Sequence, residues 1–310
     1  MFDAKNGRLL TAEQFDVLRD TRAHRPDDVR AALQSRRRRS SLLAADGRLF
    51  IIAADHPARG ALGVRSDRMA MADRYDLLDR LALALSRPGV DGVLATPDIV
   101  DDLATLGVLD DKVVVGSMNR GGLAGATFEM DDRFTAYDID SIVRDGLDFA
   151  KTLLRIDLDD AGSVATLEAT ARAVDEAASA RVPIMLEPFL SVRSNGRVLN
   201  DLTTEAVIRS VAVASGLGNS SAYTWMKLPV VEDMERVMAS TTVPTLLLGG
   251  DPQGAPDATF ARWQNALGLP GVRGLVVGRT LVYPPDGDVA SAVDQAAQLV
   301  HGPALSPALS

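Results

Sequence analysis

The 310-residue chain contains no cysteine. That excludes a disulfide framework, a thiolate metal site and a cysteine nucleophile. Histidine is nearly as scarce: His24, His56 and His301 are the full set, and two of them lie near the termini. A catalytic zinc site built on histidine is therefore not expected, and no cofactor or metal is called for. No run of about 18 apolar residues occurs, and the N-terminus lacks the basic, apolar, small-residue order of a signal peptide. The expectation is a soluble, cytoplasmic protein without a membrane partner. Positive charge is also short. Lys and Arg total 33 against 42 Asp and Glu, a net charge of −9, which argues against a nucleic-acid partner. An anionic small molecule stays compatible, because a local site can be positive on an acidic surface. Among the 33 cations only Lys5, Lys112, Lys151 and Lys227 are lysines. Two of these sit inside apolar runs, and Arg cannot replace Lys where a neutral amine is required.

What is present is a regular alternation. Apolar runs at Leu49–Ala54, Gly92–Ala95, Val113–Gly116, Phe149–Ile156, Val182–Glu187, Tyr223–Leu228, Pro244–Leu248 and Gly274–Val277 read as strands. Between them lie helical patterns, clearest at Met69–Leu85, Ser163–Ala180 and Thr203–Ser215, with Ser163 and Thr203 as N-caps. Eight β-then-α units predict an α/β fold, a (β/α)8 TIM barrel. A doubly wound sheet is the alternative, but no glycine-rich nucleotide fingerprint follows the first strand. Residues 1–45 read as an N-terminal helical extension, with helices near Thr11–Arg22 and Pro26–Arg38. It would cover the N-terminal mouth or contact a neighbouring subunit of a homo-oligomer. Residues 46–300 form the barrel and 301–310 a frayed tail. The run Arg36–Arg39 reads as a solvent-exposed helix end, and the long 117–137 segment with its NRGG as a functional loop.

Barrels of this kind carry their active residues at the C-terminal ends of strands. There the sequence places Asp55 and His56 after the first strand, Lys151 and Arg155 on the fourth, Glu187 on the fifth and Lys227 on the sixth. Period-two alternation puts Lys151, Leu153 and Arg155 on one face, Met185 with Glu187 on another, and Trp225 with Lys227 on a third. If those faces point inward, Lys151, Glu187 and Lys227 meet in one interior. An amine buried beside other cations loses affinity for its proton, and Lys151 and Arg155 are expected to supply that positive field at Lys227. A neutral amine attacks a ketone to form a Schiff base, with Glu187 or Asp55 carrying protons. The structural alternative is a plain Glu187–Lys227 ion pair. Gly249–Gly250 and Gly278–Arg279 end the last two strands, where barrels often bind phosphate through backbone N–H groups. Arg120 is a candidate for a substrate carboxylate. His56 is either a proton carrier or a structural hydrogen-bonding residue, and Trp225 and Phe189 read as packing.

The ordered set AADHPARGALG, AKTLLRID, MLEPF, WMKLP, LLLGGDP and VVGRT resembles the class I aldolases of the tagatose-bisphosphate, sulfofructose-phosphate and DhnA-like group. The stretch VVVGSMNRGGLAGATFEMDDRFTAYD resembles more closely an actinobacterial barrel family labelled deoxyribose-phosphate-aldolase-like and associated with inositol catabolism. The resemblance spans roughly residues 50 to 282. It implies a metal-independent Schiff-base aldolase acting on a phosphorylated keto sugar or sugar acid. Lys227 matches the imine lysine, Lys151 the fourth-strand lysine, Glu187 the fifth-strand acid and Asp55 the first-strand acid. Gly249, Gly250, Gly278 and Arg279 match the phosphate-binding positions. One departure bears on the substrate. The tagatose-type enzymes follow the first-strand Asp with Gln-Arg-Gly, whereas here His56-Pro57-Ala58 separate Asp55 from Arg59-Gly60. The inositol link points to 5-dehydro-2-deoxygluconate 6-phosphate. A sugar-phosphate isomerase or epimerase, and a non-catalytic sugar-phosphate-binding barrel, are the competing readings.

Overall fold

Runs of Val, Leu, Ile and Ala that are buried on both faces become the strands of a closed parallel barrel, as both-face burial requires. The computed structural model describes residues 8–119, 121–249 and 256–302. The strands are β1 (Leu49–Ala54), β2 (Gly92–Ala95), β3 (Val113–Ser117), β4 (Phe149–Ile156), β5 (Ile184–Ser194), β6 (Arg197–Asn200), β7 (Thr224–Pro229), β8 (Thr245–Leu248) and β9 (Val272–Val277). All except β6 pair in parallel, and the β4–β5 and β1–β9 pairings close the ring. The helices are α1 (Ala12–His24), α2 (Pro26–Ser35), α3 (Arg74–Ser86), α4 (Pro97–Thr105), α5 (Ile139–Arg144), α6 (Gly162–Ala180), α7 (Thr204–Ser215), α8 (Met234–Ala239), α9 (Pro256–Leu267), α10 (Arg279–Val282) and α11 (Val289–His301). The protein is an eight-stranded (β/α)8 barrel, and no helix among the described residues is long and apolar enough to cross a membrane.

Alternation along each strand sorts two cores. Ile51, Val115, Phe149, Met185, Trp225, Leu246 and Val276 fill the barrel interior. Their neighbours Ile52, Val114, Ala150, Leu186, Met226, Leu247 and Val277 pack outward under the helices. This phase positions the site. Two residues beyond the inward Ala53, Val115, Phe149, Met185 and Trp225 come Asp55, Ser117, Lys151, Glu187 and Lys227. Phe149 and Trp225 meet edge to face, with centroids 5.4 Å apart, and form an apolar floor below the lysines.

Three elements differ from the sequence reading. First, β5 runs past Glu187 to Ser194 and turns back antiparallel into β6, with Val192 opposite Leu199. Asn195 and Gly196 both take positive φ, 50° and 73°, the type I′ geometry that Asn-Gly favours. Second, α3 begins at Arg74 rather than Met69, because the Asp73 side chain caps the Tyr75 and Asp76 amides. Thr203 caps α7 as expected, but Ser163 lies inside α6, where its hydroxyl donates to Asp157 O. Third, Arg36–Arg39 is only in part an exposed run: Arg37 and Arg38 are exposed as expected, but Arg36 and Arg39 are not. Helix α2 stops at Ser35, and the run crosses the barrel's N-terminal mouth. Arg36 is buried, donating to Gly146 O at 2.7 Å and Asp148 at 2.8 Å, while Arg39 reaches Asp91 at 2.7 Å. Leu42 and Leu43 then pack against the interior cluster. The segment that follows α2, rather than the two helices, thus lies at the N-terminal mouth, and carboxylates far along the chain hold Arg36 and Arg39 there.

Candidate active site

The C-terminal mouth holds a cavity of about 450 Å³ lined by Asp55, His56, Lys151, Glu187, Lys227 and Arg279, among others. At its base four charges are linked. Lys227 Nζ donates to Glu187 Oε1 at 2.8 Å. Lys151 Nζ lies 2.6 Å from Glu187 Oε2 and donates to Asp55 Oδ2 at 3.0 Å. The Ser117 hydroxyl donates to the same Asp55 oxygen at 3.1 Å. All four charged residues are buried: Asp55 at 2%, Lys151 at 1%, Glu187 at 8% and Lys227 at 4% exposure. Buried charges persist only when paired and hydrogen-bonded, and here each carboxylate has an ammonium partner.

Electrostatics follow from this geometry. Burial pushes the Glu187 carboxyl up and is its largest single influence. The adjacent Lys151 and Lys227 outweigh it and hold the group at about 2. His56 lies with Nδ1 3.7 Å from Asp55 Oδ1. Burial, with Arg279 and Lys227 nearby, takes its imidazole down to about 3 against the opposing pull of Asp55 and Glu187. His56 is therefore neutral at physiological pH.

The positive field expected from Arg155 does not form. Its guanidinium donates to both oxygens of Asp132 at 2.8 Å and to Glu129 Oε1 at 3.2 Å. Glu129 and Asp132 belong to the long loop after β3, which folds back over β4. Arg155 lines the cavity, but two carboxylates neutralise it, and Lys151 lies between two more. The same loop is pinned by Asn119, whose amide accepts from Leu153 N at 2.8 Å and donates to Asp132 O at 3.0 Å.

Gly249 and Gly278 stand at the exits of β8 and β9, as expected. A Cβ on Gly249 would meet Val277 Cγ1 at 2.6 Å, and one on Gly278 would collide with the Ala53 carbonyl. Only glycine permits these close approaches while leaving the backbone open toward the cavity. Arg279 follows and donates to Gly63 O at 3.3 Å. Arg120 and Gly250, also expected at the site, lie outside the described residues.

Several residues at the site were not anticipated. Ser117 continues the inward phase of Val113 and Val115, so the alternation that found Lys151 also points to it. Glu129 and Arg59 face the cavity from the loop and from the turn after β1, with Arg59 Nη2 3.6 Å from Glu129. Phe189, Val198, Asn200 and Leu202 line it from the β5–β6 hairpin and the turn after it. The Asn-Gly turn signal at residues 195–196 would have found the hairpin.

A family model described as Cgl0159-like matches residues 47–297. The chain is similar to the crystal structure of Cgl0159 from Corynebacterium glutamicum. The two are 68% identical over 95% of this chain and 99% of that one, with a TM-score of 0.93. At low identity its fold is similar to two aldolases. One is an archaeal fructose-1,6-bisphosphate aldolase solved with its catalytic Lys covalently bound to the carbinolamine intermediate. It is 19% identical over 88% of this chain and 99% of that one, with a TM-score of 0.61. The other is the fructose-bisphosphate aldolase of Slackia heliotrinireducens, 15% identical over 94% of both chains, with a TM-score of 0.58. No curated protein matches the chain. With the family model spanning residues 47–297 and a relative at 68% identity, the chain belongs to the Cgl0159-like family.

Proposed function

We propose that the protein is a metal-independent, Schiff-base aldolase that cleaves a phosphorylated keto sugar or keto sugar acid. The observation that carries the reading is the Lys227–Glu187–Lys151–Asp55 chain of ion pairs, buried yet lining an open cavity at the barrel's C-terminal mouth. A structural pair would need neither a second lysine nor a cavity above it. Lys227 is the nucleophile. Lys151 lies between two carboxylates, whereas Lys227 bonds one and is the more exposed of the two, 4% against 1%.

The chemistry balances on these residues. The Lys227 ammonium gives a proton to Glu187 Oε1, 2.8 Å away. That transfer removes one of the two cations that hold Glu187 at about 2, so the carboxyl gains proton affinity as it accepts. The neutral amine adds to the substrate ketone. Glu187 returns the proton to the carbinolamine oxygen, which leaves as water and yields an iminium ion. The bond between the α and β carbons then breaks. Its electron pair flows into the iminium as a carboxylate, Asp55 or Glu187, takes the β-hydroxyl proton, and an aldehyde departs. Lys151, bonded to both carboxylates, is placed to pass protons between them. Protonation of the enamine carbon and addition of water release the ketone product and restore Lys227.

Gly249, Gly278 and Arg279, with Gly250, form the phosphate end in this reading, through backbone N–H groups and a bidentate guanidinium. A volume of about 450 Å³ suits a six-carbon sugar phosphate. The finer reading takes 5-dehydro-2-deoxygluconate 6-phosphate, from inositol breakdown, and cleaves it to dihydroxyacetone phosphate and malonate semialdehyde. Its support is the resemblance of the long loop after β3.

The test is turnover. Purified protein is incubated with keto sugar phosphates and with the deoxy keto acid phosphate, and release of aldehyde and triose phosphate is measured. Carbon–carbon cleavage by the wild type and none by Lys227→Met is expected. Full activity in Lys227→Met, isomerisation without cleavage, or binding without any product would each overturn the reading.

A further inference from the structure

A second cavity, of about 530 Å³, lies outside the barrel, where the turn joining α1 to α2 leans on the flank between α4 and α5. Its wall includes Arg22, Arg30, Asp101, Tyr137, Arg144 and Asp145. None of these takes part in the ion pairs at the mouth, and the argument for this cavity is independent of the aldolase reading.

The floor of the cavity is short of positive charge. Asp102 is held by Arg22 at 2.6 Å and by Arg74 at 3.0 Å, and Asp145 by Arg144 at 2.8 Å. Asp98 is paired with Arg74. Among the described residues the cation paired with Asp101 is Arg22, at 4.0 Å, and that guanidinium is already committed to Asp102. Burial raises the Asp101 carboxyl above its ordinary value. The pull of Arg22 does not offset it, because Asp102, Asp98 and Asp145 push the same way as burial.

Tyr137 supplies an independent feature. The residue is 5% exposed, and its hydroxyl is buried with no hydrogen-bond partner among the described residues. Burial and the nearby Asp101, Asp145 and Asp98 raise its pKa, so it stays a neutral hydroxyl able to donate and accept. A buried hydroxyl without a partner is uncommon in a folded protein and calls for an explanation. At the rim, Arg30 is 63% exposed and approaches Asp145 only to 3.8 Å.

These groups define a ligand. Its buried end is cationic and offers hydrogen-bond donors to a carboxylate and a hydroxyl. A metal ion does not suit, since no group of three His, Asp or Glu among the described residues is placed to hold one. A primary ammonium does suit, with three donors on one compact charge. The cavity is much larger than an ammonium group, and the Arg30 guanidinium at its rim is built to take a carboxylate. We propose that this cavity binds a small zwitterion of the α-amino-acid class, with its ammonium against Asp101 and Tyr137 and its carboxylate toward Arg30.

The test is calorimetric titration of the full chain with each of the common L-amino acids at about 10 mM, a range set by millimolar affinity. At least one is expected to bind. Its N-acetyl derivative, which lacks the ammonium, and its decarboxylated amine are each expected to bind about tenfold or more weakly, the effect of losing one charged hydrogen bond. Asp101→Asn and Arg30→Gln are expected to weaken binding by a similar factor. Asp101→Asn should unfold at or above the wild-type temperature, because it removes a poorly paired, half-buried charge. Arg30 is exposed, so its substitution reports on the site even if Asp101→Asn folds badly. Absence of binding by every amino acid, binding that survives both substitutions, or binding abolished by Lys227→Met would overturn the proposal.

Discussion

Replacing Glu187 by Gln keeps the side chain's shape and removes the charge that joins the two lysines. In the folded protein Glu187 lies 2.8 Å from Lys227 Nζ and 2.6 Å from Lys151 Nζ. Burial alone would raise its carboxyl, yet the two ammonium groups bring it from 4.5 to about 2. At about 1.4 kcal/mol per unit, that depression corresponds to roughly 3 kcal/mol of stability at neutral pH. The side chain is only 11% exposed, so solvent screening removes little of it. Breaking a buried ion pair from one side independently suggests about 3–5 kcal/mol. The sign follows from the direction of the shift. The folded carboxyl titrates below the unfolded one, so its contribution is complete above 4.5 and disappears as the pH falls toward 2. Urea unfolding followed by fluorescence of Trp225 and Trp263, both buried, should therefore show Glu187→Gln less stable by about 3 kcal/mol at pH 7. The gap should hold down to about pH 5 and shrink below the unfolded value. A gap under about 0.5 kcal/mol at pH 7, the scatter of neutral surface substitutions, would refute the reasoning. So would a gap that widens on acidification.

Other consequences are testable alongside it. His56, held neutral with a pKa of about 3, should show imidazole proton shifts in NMR spectra that stay flat between about pH 5 and 8; a midpoint near the ordinary histidine value would contradict the site's electrostatics. His301 behaves oppositely. Burial lowers its pKa, but Asp91 at 3.1 Å and Asp46 at 2.7 Å outweigh burial and raise it. Its stabilisation is thus complete below 6.5 and lost as pH rises through the folded value. His301→Gln should lower the unfolding temperature most at mildly acidic pH, and a cost that grows with rising pH would count against the pairing. Arg36→Met removes the buried clamp on Gly146 O and Asp148 and should cost about 3 kcal/mol in chemical denaturation while leaving the chemistry at the opposite mouth intact. A loss under about 0.5 kcal/mol would show that the clamp is dispensable.

The charged cluster at the mouth was legible in the chain because strands enforce a period of two. Once Phe149, Met185 and Trp225 face inward, Lys151, Glu187 and Lys227 must as well, and strand order alone makes them neighbours. The hidden features depend on partners distant in sequence. Arg36 looked like a helix end because Asp148, which buries it, lies 112 positions away. Arg155 looked like a free cation because Glu129 and Asp132 reach it from a loop without regular structure. The β5–β6 hairpin was a different case. Its Asn-Gly turn is a local signal, but Phe189 to Asn200 extends a barrel strand beyond the usual length and falls between the expected strand at Val182–Glu187 and the helix at Thr203.

The central claim is that the Lys227 amine bonds covalently to a ketone at the barrel mouth. Reduction with borohydride in the presence of dihydroxyacetone phosphate, followed by intact-mass and peptide analysis, tests it directly. One stable adduct on the peptide bearing Lys227, and none in Lys227→Met, is predicted. An unmodified wild-type protein, or an adduct carried by Lys151, would contradict it.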